Sequence, residues 1–278
     1  MTRRALVFGL GGQIGAALQA PLLADGWTLV AVSRREREDE PGVEWRLGSL
    51  PEAPVLRQGF DAILSLGPLD AFAQALVRHP PDAPRVVAIG STGVHSKVDS
   101  PDPDERALAM RLAQAEAVLS GALAGRASLA LLRPTLVYGH GRDASLTPLV
   151  AFARRHGWLA LPRAARGLRQ PVHVDDVAAA VLACLRSPEP LQLALDVPGG
   201  ETLSFAQLVE RTLAAHAPGA RLLRVPTPLF RLGLALARRR LPSGISAPGF
   251  LGRLGRDQVF DATALRERLG VVPRPFAP

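Results

Sequence analysis

The chain holds one cysteine, Cys184, one lysine, Lys97, and one tyrosine, Tyr138, and only 5% of its 278 residues are aromatic. A single thiol excludes an intramolecular disulfide, and its place in the apolar run 180–185 points to a buried, inert group in a reducing compartment. With one tyrosine and one lysine far apart in the chain, any chemistry that needs the two side by side on a helix is constrained from the outset. No uninterrupted apolar run reaches the roughly 18–20 residues of a membrane span, and the chain leads through Arg3 and Arg4 into a strand-like segment, not a cleavable signal. A cytoplasmic protein without a membrane span is expected. The 33 basic and 25 acidic residues leave a formal charge of +8, scattered with no dense block, so a nucleic-acid partner is not expected. Nor is a metal-ligand set, and the sequence shows no internal repeat.

What is present is a rhythm. Residues 5–9, 28–33, 61–67 and 85–91 are near-continuous hydrophobic runs of strand length, as in parallel strands covered on both faces. Between them, residues 13–25 and 70–78 carry apolar side chains at helical spacing. Pro101-Asp102-Pro103-Asp104-Glu105 is a helix-start signal before an Ala/Leu-rich helix running to about Leu123, and residues 128–132 read as another strand. This is an α/β pattern, a Rossmann-type doubly wound parallel sheet. Val174-Asp175-Asp176 reads as a helix start with Asp176 as a cap, His173 as a satisfied core histidine, and Thr202-Leu203-Ser204 as the opening of a later amphipathic helix. We expect residues 1–185 to form the sheet domain and 186–278 a smaller, intimately packed C-terminal lobe that caps a substrate. Residues 229–240 form an apolar helix with an arginine-rich end, either a lobe helix or a membrane-surface helix.

The first strand runs into Gly9-Leu10-Gly11-Gly12-Gln13-Ile14-Gly15 at the start of the first helix. Glycines there let the main chain approach a pyrophosphate while the helix N-terminus offers free N–H groups. Gly9, Gly12, Gln13, Ile14 and Gly15 are accordingly the expected cofactor contacts. At the end of the second strand stand Ser33, Arg34 and Arg35, where an NAD site usually has a carboxylate for the ribose hydroxyl. A hydroxyl followed by guanidinium groups suits a 2′-phosphate, so NADP is expected, with NAD as the alternative.

Four ordered motifs resemble the extended and atypical branches of the short-chain dehydrogenase/reductase superfamily, the NAD(P)-dependent epimerase/dehydratase-like group. Phe8-Gly9-x-x-Gly12-x-x-Gly15 is similar to its glycine turn, and Ser91-Thr92-Gly93-Val94-His95 to its serine-bearing strand end. Arg133-Pro134-Thr135-Leu136-Val137-Tyr138-Gly139 resembles the R-P-x-x-V-Y-G segment, and residues 169–178 resemble the R-x-x-V-H-V-x-D-V-A block. The resemblance implies that Leu66 and Gly67 line the adenosine ribose, that Ser91 is an active-site hydroxyl, and that Pro134, Thr135 and Leu136 pass near the nicotinamide. It also implies that Arg169 holds a substrate diphosphate. The pattern departs where the family has Tyr-x-x-x-Lys, since Leu108 and Leu112 occupy those positions, and Ser49 replaces an adenine-side Asp.

Two functions follow. One is an NADP-dependent oxidoreductase or epimerase/dehydratase-like enzyme on a small or sugar-nucleotide-type substrate, with a different proton carrier. Ser91, Tyr138 and His95 are the catalytic candidates, and Tyr138 and His140 join Arg169 as substrate contacts. The alternative is a non-catalytic NAD(P)-binding sensor or accessory subunit. Either a monomer or a homodimer is compatible with the pattern.

Overall fold

Each apolar run becomes a strand because helices cover it on both sides. In β1 (Arg3–Phe8), Ala5 and Val7 face one apolar layer while Leu6 and Phe8 face the other. A computed structural model describes residues 3–52, 59–80, 82–237 and 252–278. After β1 come α1 (Gln13–Ala24), β2 (Trp27–Ser33), β3 (Val43–Leu47), β4 (Ala62–Ser65), α2 (Leu69–Arg78), β5 (Arg85–Ile89), the short α3 (Gly93–Ser96), α4 (Pro103–Leu123) and β6 (Ser128–Pro134). There follow β7 (Val137–Tyr138), α5 (Thr147–His156), β8 (Trp158–Pro162), β9 (Leu168–Arg169), β10 (Val172–His173), α6 (Val174–Arg186) and β11 (Leu193–Val197). The remainder is β12 (Leu203–Ser204), α7 (Phe205–His216), β13 (Arg221–Val225), α8 (Thr227–Ala237) and α9 (Thr263–Leu269).

Seven parallel strands lie in the order β11-β6-β5-β4-β1-β2-β3. Leu18 and Leu22 of α1 and Val177 and Val181 of α6 cover one face, and Phe72 and Leu76 of α2 with Leu119 and Leu123 of α4 cover the other. The chain reverses its direction of travel across the sheet between β1 and β4. In doubly wound sheets a crevice opens at that switch, outside the carboxyl ends of the strands. The helix-start signal before α4 acts as expected: Pro103 is the first helical residue and the Asp102 side chain accepts from the Asp104 amide at 2.9 Å.

The expected division at residues 185/186 is corrected. β11 lies beyond it and pairs with β6, Leu195 opposite Leu132, so the sheet takes its last strand from the segment assigned to the lobe. Five residues before a Pro-Gly-Gly turn are too short to declare themselves by period. The lobe itself draws on both sides of that division, with Ala153, Leu159 and Leu161 packed against Val209 and Leu213, and with β8 paired to β13. The arginine-ended helix forms as α8, with Leu229 and Leu232 exposed, while Arg238, Arg239 and Arg240 lie outside the described residues. Among the described residues, no helix is long and apolar enough to cross a membrane.

Candidate functional site

Four residues carry the chain from β1 to α1 across the switch point. Gly9 has φ +90°, and a Cβ there would stand 3.0 Å from the Leu66 carbonyl carbon, so the turn packs directly on the Leu66-Gly67 loop that leaves β4. A Cβ on Gly15 would stand 2.3 Å from the Leu10 carbonyl oxygen, which closes that position to any other residue. Gly12 caps α1 with its backbone, and no side chain accepts from the first-turn amides. Those amides, Gln13 and Ile14 among them, have no earlier turn to bond with and can meet an anion. The two side chains do other work: Gln13 Nε2 donates to the Gly139 carbonyl at 3.2 Å, and Ile14 packs on the core.

Over this turn lies a cavity of about 750 Å³, bordered by Gly9, Gly12, Ser33, Leu66 and Gly67. Arg34 and Arg35 also border it. A third arginine, Arg37, went unnoticed in the sequence because it lies past the end of the strand within a run of alternating charges. Its guanidinium sits 4.5 Å from the Trp45 ring and folds over Gly11, where a Cβ would meet it at 2.9 Å. Among the described residues, none that lines the cavity is acidic. Ser49, in the usual place of an aspartate, is among them.

At the carboxyl end of β5, the Ser91 hydroxyl oxygen accepts from the Gly93 amide at 3.1 Å and keeps its own proton to donate. His95 stands half exposed on α3, with Nε2 3.5 Å from Asp196 Oδ1. Lys97 extends beside the same turn, its Cδ 3.5 Å from where a Gly93 Cβ would be, and burial draws its ammonium below the usual range. Pro134, Thr135 and Leu136 lie where the chain leaves β6, and Thr135 is already hydrogen-bonded within the chain. Its hydroxyl donates to the Gln170 carbonyl and its amide to the Val197 carbonyl. Behind this end, Arg133 and Glu116 tie β6 to α4 through bonds of 2.8 and 2.6 Å.

Two expected roles are not supported by the arrangement. Arg169 is 5% exposed, and its guanidinium donates to the carbonyls of Leu168, Arg253 and Arg256. It fastens the segment beginning at residue 252 and does not present an open fork to a diphosphate. Burial lowers it to about 10, so it remains charged at neutral pH. Tyr138 is 3% exposed and lies edge-on to His173 and Phe276, with its hydroxyl accepting from the Ala277 amide at 3.2 Å. Burial pushes its phenol above the usual range, which suits an anchor for the residues around Phe276 and not a proton carrier at the nicotinamide.

Tyr138 and His140 instead border a second cavity of about 510 Å³, between the β7 loop and the lobe helices α5 and α7. His173 is the N-cap of α6, its Nδ1 accepting from the Asp175 amide, whereas Asp176 binds Arg274 and caps nothing. Burial holds the His173 imidazole below its ordinary value. For Asp175, burial pulls upward but the His140 hydrogen bond and the neighbouring cationic groups outweigh it, and the carboxyl ends below the usual range.

A parallel sheet with a glycine turn, a helix N-terminus and an open crevice at its switch point defines a Rossmann-type doubly wound fold. No protein-family model and no curated protein matches the chain. Among solved structures, the chain is similar to MoeE5 in complex with UDP-glucuronic acid and NAD, at TM-score 0.72 and 19% identity over 98% of this chain and 94% of that one. The terminal R domain of the myxalamid PKS-NRPS pathway gives 0.72 and 17% over 99% and 87%. UDP-glucuronic acid 4-epimerase from Bacillus cereus, in complex with NAD, gives 0.64 and 14% over 90% and 94%. The chain thus shares the fold of these structures.

Proposed function

We propose that this chain binds NADP(H) at the switch-point crevice and acts as an oxidoreductase or epimerase/dehydratase-like enzyme on a small or sugar-nucleotide-type substrate. The observation that carries the cofactor choice is that, among the described residues, no carboxylate lines the cavity, while Arg34, Arg35 and Arg37 do. A ribose 2′-phosphate brings negative charge and three acceptor oxygens, which guanidinium groups bind well and a carboxylate repels. The first-turn amides of α1 would take the pyrophosphate, and the tight packing at Gly9 and Gly15 keeps the main chain bare enough to reach it. When bound, the cofactor supplies hydride transfer at its nicotinamide ring. Ser91 would donate a hydrogen bond to a substrate oxygen, with His95 beside it as the candidate proton carrier in place of the missing Tyr-Lys pair. Titration with NADPH and NADH tests the reading: tighter binding of NADPH supports it, and equal or absent binding of the two overturns it.

A non-catalytic NADP-binding protein is the second reading, favoured by Leu108 and Leu112 on α4 where the resemblance places the proton-moving pair. NADPH absorbance followed against carbonyl, imine and sugar-nucleotide panels separates the two. Consumption with any compound supports the enzyme, and binding without consumption supports the sensor.

A further inference from the structure

His140, His173 and Asp175 come from two places in the chain and have no part in the dinucleotide site, yet the structure brings them together. His140 Nε2 lies 2.8 Å from Asp175 Oδ1, and His173 Nδ1 lies 3.4 Å from Asp175 Oδ2. One nitrogen or oxygen from each residue falls within 4.8 Å of the others. Atoms bound at about 2.0–2.1 Å to a tetrahedral ion are about 3.3–3.4 Å apart, so small side-chain adjustments would seat such an ion. We propose that these three side chains form a binding site for a divalent transition metal of the zinc class, facing the second cavity.

The backbone supports this assignment independently. His140 has φ +56°, a left-handed conformation few non-glycine residues adopt, between Gly139 at +112° and Gly141 at +62°. Strained backbone of this kind persists where surrounding structure holds it, often at ligand sites. Here Gln13 bonds the Gly139 carbonyl, and the unusual turn aims the His140 ring at Asp175. A Cβ on Gly139 would lie 2.6 Å from His173 Nε2, so only glycine fits against that ring, and Nδ1 faces Asp175. Nδ1 now holds only a 3.2 Å bond from the Asp175 amide, which a metal would replace.

Two imidazoles and a carboxylate suit zinc, cobalt or nickel better than calcium or magnesium, which prefer all-oxygen shells. Both imidazoles border the 510 Å³ cavity, so water or a small oxygen ligand from it can complete the coordination. Arg274, 3.5 Å from Asp175 Oδ2, and the positive end of α6 oppose a cation. The site is therefore weaker than a closed zinc site with four protein ligands.

Untagged, chelator-treated protein titrated with cobalt(II) or zinc(II), followed by visible absorption and calorimetry, provides the test. Saturable binding of one ion per chain, with cobalt bands of a four- or five-coordinate site, is the expected result. His140→Ala and Asp175→Asn should each weaken binding by at least about tenfold. His216→Ala, on the same cavity but outside the cluster, should not. Because His140 lies on an exposed loop, its variant tests the site even if Asp175→Asn disturbs the start of α6. Absence of saturable binding, or binding unchanged by His140→Ala, overturns the proposal whatever the dinucleotide titrations show.

Discussion

Arg37 lies with its guanidinium 4.5 Å from the centre of the Trp45 ring, so that a residue of the loop after β2 is held by β3 against the glycine turn. The indole supplies a fixed platform for a side chain that would otherwise move freely in solvent. That contact turns a charged loop residue into part of the cavity over the glycine turn.

Arg37→Ala should therefore weaken NADPH binding by about 10- to 100-fold, the value of losing a hydrogen bond to a charged group, while leaving NADH affinity nearly unchanged. Arg34→Ala should act in the same sense. Fluorescence or calorimetric titration with both coenzymes checks this, and equal losses for the two would remove the arginines from the 2′-phosphate site.

The glycines should separate binding from folding. A Cβ at Gly12 meets only the Gly9 carbonyl, at 3.1 Å, whereas at Gly15 it would sit inside the Leu10 carbonyl. Gly12→Val is expected to abolish NADPH binding with a modest drop in melting temperature. Gly15→Ala should destabilise the fold by about 1–3 kcal/mol, as overpacking does. Thermal melts beside coenzyme titrations read both.

Tyr138→Phe removes the hydroxyl that accepts from Ala277 but keeps the ring packed on Phe276. A loss of about 0.5–1.5 kcal/mol in unfolding free energy is expected, with no change in NADPH affinity or turnover. A large loss of turnover at unchanged stability would restore Tyr138 as a catalyst.

Glu116 and Arg133 are both largely buried. Glu116→Leu leaves a buried guanidinium with only Asp196, 3.7 Å away, and should cost about 3 kcal/mol. The double variant with Arg133→Leu should recover most of that cost, since two apolar groups replace the pair. Urea unfolding of the single and double variants gives the coupling directly.

Burial pushes the Cys184 thiol up to about 12. Native protein at pH 8 should resist thiol reagents that label it fully in urea. The sign for stability follows from linkage: the folded value lies above the unfolded 9.0, so the contribution is complete below pH 9. Above that, the folded-to-unfolded ratio should fall about tenfold per pH unit until pH 12. Cys184→Ala should flatten that decline in alkaline unfolding curves.

Much of this was legible before any coordinates. Apolar runs marked five of the seven sheet strands, Pro103 and Asp102 marked the start of α4, and the spacing of Gly9, Gly12 and Gly15 marked the turn. Those signals are local: a period, a cap or a missing side chain acts on the residues next to it. β11 escaped notice because five residues carry too little pattern, and Arg169 misled because its motif says nothing of the three carbonyls that capture it.

Pattern along the chain settled the strand-helix alternation, the bare glycine turn and the lack of a tyrosine-lysine pair, since each rests on neighbouring residues or on composition. Packing between distant segments decided that Trp45 holds Arg37 over the glycine turn, that Tyr138 anchors the residues around Phe276, and that His140 meets Asp175. Such choices depend on side chains tens of residues apart competing for one volume and one set of hydrogen-bond partners, and only a folded chain brings them within reach.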